Sequence, residues 1–204
     1  MSAAPESAPV VQPESFAFTA ENLARAKAVI AKYPAGRQAS AVLPLLDLAQ
    51  RQHDNWLPRA AMDVVAEMLG MAPIRVYEVA TFYTMFNLKP VGRHLVQICR
   101  TTPCWLRGAD KLSEACQRKL GIGLKETTAD GKFTLVEVEC LGACANAPVV
   151  QINDDFYEDL DAAKLEKLLT ALGRGEKPKM GSQIGRQGSA PEGGPQVLLG
   201  GAGE

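Results

Sequence analysis

Four of the five cysteines stand in two close pairs. Cys99-Arg-Thr-Thr-Pro-Cys104 is a C-x4-C and Cys140-Leu-Gly-Ala-Cys144 a C-x3-C, with 35 residues between them. Thiols at such spacings do one of three kinds of chemistry. They hold a structural zinc, whose ligand pairs enclose about two to four residues. They hold an iron-sulfur cluster, which also takes four thiolates. Or they close disulfides. The plant-type C-x4-C-x2-C run with a distant fourth cysteine is absent, and spacing alone leaves zinc and a 2Fe-2S cluster open. Disulfides belong to oxidising compartments. No Lys or Arg precedes Arg25, whereas Glu6 and Glu14 do, the reverse of a secretory n-region or an Arg-rich transit peptide.

The other candidates carry less chemistry. Cys116 falls on the apolar face of a predicted helix, where a free cysteine packs as a small hydrophobe. His53 and His94 lack the two-histidine, two-cysteine arrangement of a Rieske centre. Gly121-Ile-Gly123 lacks the third glycine of a dinucleotide fingerprint and follows a helix, where that fingerprint needs a preceding strand. Arg100, Thr101, Thr102, Trp105 and Arg107 flank the first pair; of these, Arg100 or Arg107 would offset a cluster's negative charge, or simply be solvated. Tyr77, Phe82, Tyr83 and Phe86 share helical spacing and read as core or inter-subunit packing.

The elements that must position the cysteines follow from periodicity. Thr19 caps a first helix with apolar positions at Leu23, Ala26, Val29 and Ile30; a second covers Gln38 to Gln52, with Pro44 at its first turn or at a bend. A third runs from Arg59 to Leu69, stopped by Gly70, and a fourth opens at Pro73. After Lys89-Pro90 the period becomes strand-like. His94 to Cys99 reads as a strand, Trp105 to Leu120 as a helix, Phe133 to Val138 and Val149 to Ile152 as strands, and Asp161 caps a final helix ending at Gly173. Each cysteine pair therefore follows a strand, on loops at one end of a sheet. The fold class is α+β. Residues 1–18 read as a disordered extension, 19–88 as a helical bundle and 89–173 as an α/β domain. The 174–204 tail reads as Gly-rich and ordered only by a partner, since ten of 18 glycines fall in the last 32 residues.

Composition closes off other classes. With 47% hydrophobic and 22% charged residues the 204-residue chain can build a packed core. A net charge of -1, from 22 basic and 23 acidic residues without a basic block, disfavours nucleic-acid binding. No apolar run approaches the roughly eighteen residues needed to span a bilayer, so a soluble chain is expected, with any membrane link through a partner.

The stretches VYEVATFYTMFNLKPVGRHLVQICRTTPCWLRGAD and TLVEVECLGACANAPVVQINDDFYEDL resemble the thioredoxin-like 2Fe-2S subunit family of respiratory complex I, NADH:quinone oxidoreductase. The resemblance runs from about Thr19 to Gly173, and the tail also looks like that family's C-terminus. It implies a thioredoxin-like domain in which Cys99 and Cys104 hold one iron and Cys140 and Cys144 the other. It implies a one-electron carrier in a proton-translocating oxidoreductase, with no active site of its own and with FMN and NADH on a flavin-bearing neighbour. The helical bundle would grip that partner, and the chain would lie at the cytoplasmic side of a bacterial inner membrane, held through other peripheral-arm subunits. Similar subunits occur in NAD-linked formate dehydrogenases and hydrogenases, the alternative redox reading. A zinc-stapled interaction module is the non-redox one.

Overall fold

The computed structural model describes residues 10–194 and Val197. The chain divides into two compact units, 1–91 and 92–204.

The first unit is helical. Helix α1 spans Ala20–Ile30, and the Thr19 hydroxyl accepts the Asn22 N–H at 3.2 Å, satisfying one of the donors that a helix start leaves free. A 3-10 turn over Gln38–Ala41 leads into α2, Val42–Gln52. The single helix expected from Gln38 is thus two, and Pro44 lies in the first turn of α2, where its missing donor costs nothing. Helix α3, Arg59–Leu69, ends on Gly70 in the left-handed region, and α4, Pro73–Phe82, begins on its proline. Ala26, Leu45, Leu46, Val65 and Val76 are fully buried in this core. Gln50, itself buried, donates to the Met85 carbonyl and accepts the Asn87 N–H at 2.7 Å, pinning the segment after α4. The expected extension is partly folded: Phe16 and Phe18 pack on the core, and Ala17 O accepts from Gln52. Residues 1–9 of that extension lie outside the described residues.

The second unit is a five-stranded sheet in the order β2-β1-β3-β4-β5. Strands β1 (His94–Cys99) and β2 (Phe133–Val138) are parallel, with Cys99 opposite Val138. Strand β3 (Val150–Ile152) is antiparallel to β1, and β4 (Asp155–Glu158) returns beside it. Strand β4 was not expected from the sequence: Asp-Phe-Tyr-Glu shows no clean alternation, and Asn153-Asp154-Asp155 reads as a turn after β3, yet Asp155 is the first residue of β4. Asn153, at φ 55°, makes that turn. The helix expected over Trp105 to Leu120 is broken. Helix α5 covers Thr102–Leu106 and α6 Ala109–Leu120, because Gly108 at φ 96° takes a conformation that no helix interior uses. Helix α6 packs on β1, β2 and α7 (Ala162–Gly173).

The tail departs most from expectation. Residues 181–182 form β5, parallel to β4, and Arg186 is buried, so this part orders against its own unit. A glycine-rich composition signals poor core-building capacity, but it says nothing about a single buried ion pair. Residues 195–196 and 198–204 lie outside the described residues.

Two local features give measurable expectations. A Cβ added at Gly92 would sit 2.8 Å from the Phe133 backbone, which cannot swing aside. Gly92→Ala should therefore cost about 1–3 kcal/mol in chemical denaturation, the range of overpacking. At the start of α7 the Asp161 carboxylate accepts the Lys164 N–H at 2.8 Å, and the Lys164 ammonium is its first cause of a pKa below the usual aspartate range. A depressed folded-state pKa stabilises the fold above the unfolded value, about 3.9, and this contribution is lost as pH falls through the folded value. Asp161→Ala should cost about 1 kcal/mol near neutral pH. In denaturation series the gap between variant and wild type should close under acid conditions, where the capping carboxylate of the wild type is protonated.

Candidate metal centre

The parallel pairing of β1 and β2 carries their C-terminal ends to one edge, and the cysteines sit there. Cys99 is the last residue of β1, and its amide donates to the Val149 carbonyl at 3.2 Å. Cys104 follows on α5, a helix where a loop was expected. Cys140 lies in the loop after β2, and Cys144 opens a 3-10 turn, Cys144–Asn146. The first pair is buried, each residue 1% exposed, and the second pair is exposed.

The sulfurs are paired. Cys140 Sγ and Cys144 Sγ are 3.3 Å apart. Burial pushes the Cys104 thiol up to about 12, helped by its hydrogen bond to Cys99. Burial also acts on Cys99, yet N–H donors at Leu141 and Thr101, with the Cys104 thiol, hold it below its ordinary value. The Cys144 thiol is raised by its bond to Cys140, then by desolvation, and then by the charges of Cys140 and Cys99. The two pairs therefore lie within electrostatic reach of one another.

This set fits a 2Fe-2S cluster. The donors are four soft thiols arranged as two by two, as a cluster with two thiolates per iron requires. Backbone N–H groups already point at sulfur: Leu141 and Thr101 at Cys99, Val149 at Cys104, and Gly142 at Cys140 at 3.4 Å. Such donors stabilise added negative charge on cluster sulfurs. Gly142, at φ 82°, adopts the left-handed conformation that presents its amide, and an L side chain resists it.

Of the other candidates, Thr101 acts on the Cys99 sulfur through its amide and its hydroxyl. Cys116 is fully buried in the core, with burial raising its thiol to about 12. Arg100 pairs with Glu137 at 3.2 Å, and Arg107 with Glu192 at 2.9 Å. Phe86 is buried, while Phe82 is 77% exposed. Sequence reasoning missed Arg186 and Asp159, whose 2.6 Å ion pair stands beside the second cysteine loop. The only sequence signal was one arginine in a glycine-rich run.

Residues 26–173 match the family model described as thioredoxin-like [2Fe-2S] ferredoxin. A Rickettsia conorii subunit of NADH-quinone oxidoreductase is 61% identical over 158 residues, covering 78% of this chain and 95% of the relative. The mitochondrial NADH dehydrogenase [ubiquinone] flavoprotein 2 of Dictyostelium discoideum is 51% identical over 184 residues, covering 90% of this chain and 74% of the relative. Among solved structures, an NAD+-reducing [NiFe]-hydrogenase in the H2-reduced state matches with a TM-score of 0.57 at 23% identity, over 66% of this chain and 23% of its own, a likeness of fold alone. With the cysteine geometry and these matches together, the chain belongs to the thioredoxin-like [2Fe-2S] ferredoxin family, among its members in NADH-quinone oxidoreductases.

Proposed function

We propose that this chain is the one-electron carrier subunit of an NADH:quinone oxidoreductase, respiratory complex I. When bound, a 2Fe-2S cluster supplies a one-electron couple. Cys99 and Cys104 would hold one iron and Cys140 and Cys144 the other. The observation that carries this reading is the placement of both cysteine pairs at the C-terminal end of the parallel strands β1 and β2, with the Cys140 and Cys144 sulfurs 3.3 Å apart and the Gly142 N–H on Cys140.

The chain's own residues supply burial on one side and access on the other. Ile98, Val149 and Leu112 are buried around the first pair and keep water from Cys99 and Cys104. Trp105 and Leu106, directly after Cys104, are 54% and 70% exposed. They offer an apolar contact for a flavin-bearing neighbour. The 19–88 helical domain would bind the same assembly, since Ile74, Phe82 and Met85 are exposed large hydrophobics. No helix among the described residues is long and apolar enough to cross a membrane, in keeping with peripheral attachment through other subunits on the cytoplasmic side.

Anaerobically purified protein should be coloured, because 2Fe-2S centres absorb visible light and zinc thiolates do not. Dithionite should bleach it and yield an electron paramagnetic resonance signal. NADH should leave the spectrum unchanged until the flavin-bearing subunit is added. A colourless zinc-loaded chain would defeat the proposal, and direct bleaching by NADH would show an overlooked nucleotide site.

A further inference from the structure

Resting on the cluster assignment above, we infer that residues 181–192 form a strap across both cysteine-bearing segments, and that its buried anchor, Arg186, is a positioning residue for the cluster. The Arg186 side chain is 8% exposed and its partner Asp159 2%. One guanidinium nitrogen of Arg186 donates to Asp159 at 2.6 Å, and the other to the carbonyl of Ala145, the residue after Cys144, at 3.0 Å. Ser182 Oγ donates to the second Asp159 oxygen at 2.6 Å and accepts the Arg186 N–H at 3.1 Å, so both carboxylate oxygens are engaged. Asn146, two residues after Cys144, donates its side-chain amide to the Gly188 carbonyl at 2.8 Å, and its backbone carbonyl accepts the Asp159 N–H at 2.8 Å.

The strap also reaches the other half of the site. Glu192 accepts from Arg107, which directly follows the helix that carries Cys104. A segment whose composition builds no core thus touches both cysteine segments through polar bonds.

Two consequences differ in kind. Mechanically, the Ala145 carbonyl and the Asn146 side chain are held, so the exposed Cys140–Cys144 loop cannot swing open. Electrostatically, a buried cation beside that loop favours the more negative, reduced state of a thiolate-held cluster. Arg186→Gln removes both effects and leaves the Asp159 carboxylate unpaired. Asp159→Asn with Arg186→Gln restores charge balance but not the bond to Ala145. Arg186→Lys keeps the charge with fewer donors.

The experiment uses the full-length cluster-loaded chain, read by an electron paramagnetic resonance potentiometric titration and by the rate of iron release to a ferrous chelator. Arg186→Gln should release iron at least tenfold faster, and its reduction equilibrium constant should fall about tenfold, or 59 mV for one electron. The double variant should recover most of the potential while still releasing iron fast, and Arg186→Lys should keep the potential with intermediate release. Wild-type release and potential in Arg186→Gln would overturn the inference. If Arg186→Gln retains no cluster, the double variant decides: fast release supports the strap, and wild-type release overturns it. A wild-type chain that binds no iron and sulfide would defeat the site assignment itself, an outcome distinct from a normal cluster with a silent Arg186.

Discussion

Cys140→Ala should abolish bound iron and labile sulfide, whereas Cys116→Ala should leave both at the wild-type level. Cys140 is exposed, is paired with Cys144 at 3.3 Å and takes an N–H from Gly142, so no neighbouring thiol stands ready to replace it. Cys116 is fully buried on α6 among apolar side chains and has no part in either pair. Its removal leaves a small cavity costing about 1 kcal/mol, a change in stability and not in composition. Iron and sulfide assays on anaerobically prepared variants check both statements. Iron lost from Cys116→Ala and kept by Cys140→Ala would reverse the ligand assignment.

Ile98→Ala should lower the stability of the 92–204 unit by about 2–5 kcal/mol, a large share of the roughly 5–15 kcal/mol that folded domains possess. Ile98 is 1% exposed on β1, which lies between β2 and β3, and it pairs with Glu137 on one side and Val150 on the other. Packing there has no freedom to collapse, because both neighbouring strands are fixed by the ladder. In urea the midpoint should fall with little change in slope, and Ile98→Val should cost only about 0.5–1.5 kcal/mol. An Ile98→Ala midpoint within error of wild type would show that this strand is not the keystone of the sheet. The adjacent residue is Cys99, so cluster retention should weaken in parallel with stability.

Much of this architecture was legible because local signals and the tertiary pattern agree. Thr19, Gly70, Pro73 and Asp161 bound helices by capping chemistry that acts within a few residues, and Leu165, Leu168, Leu169 and Leu172 face inward at the spacing their period demanded. Cysteines placed after two strands converge because those strands are parallel neighbours. What was missed is non-local. Strand β4 exists because β3 offers it a ladder, not because Asp-Phe-Tyr-Glu favours extension by itself. The break before α6 hangs on one backbone angle at Gly108, in a stretch whose apolar spacing continues across it. Arg186 and Asp159 are 27 residues apart in the chain, and nothing around either one signals that a guanidinium and a carboxylate should leave water together.

The placement of β1 between β2 and β3 has a meaning in time. A ribosome adds roughly 5–20 residues per second, so about 2–7 seconds separate the appearance of Cys104 from that of Cys140. Strand β2 is completed only just before Cys140 and β3 only after Cys144, so through most of that interval the first two thiols belong to a nascent chain whose central strand is unpaired, and the anchoring arginine emerges later still. The four thiols and the arginine beside them are therefore all present only once the C-terminal third has been translated.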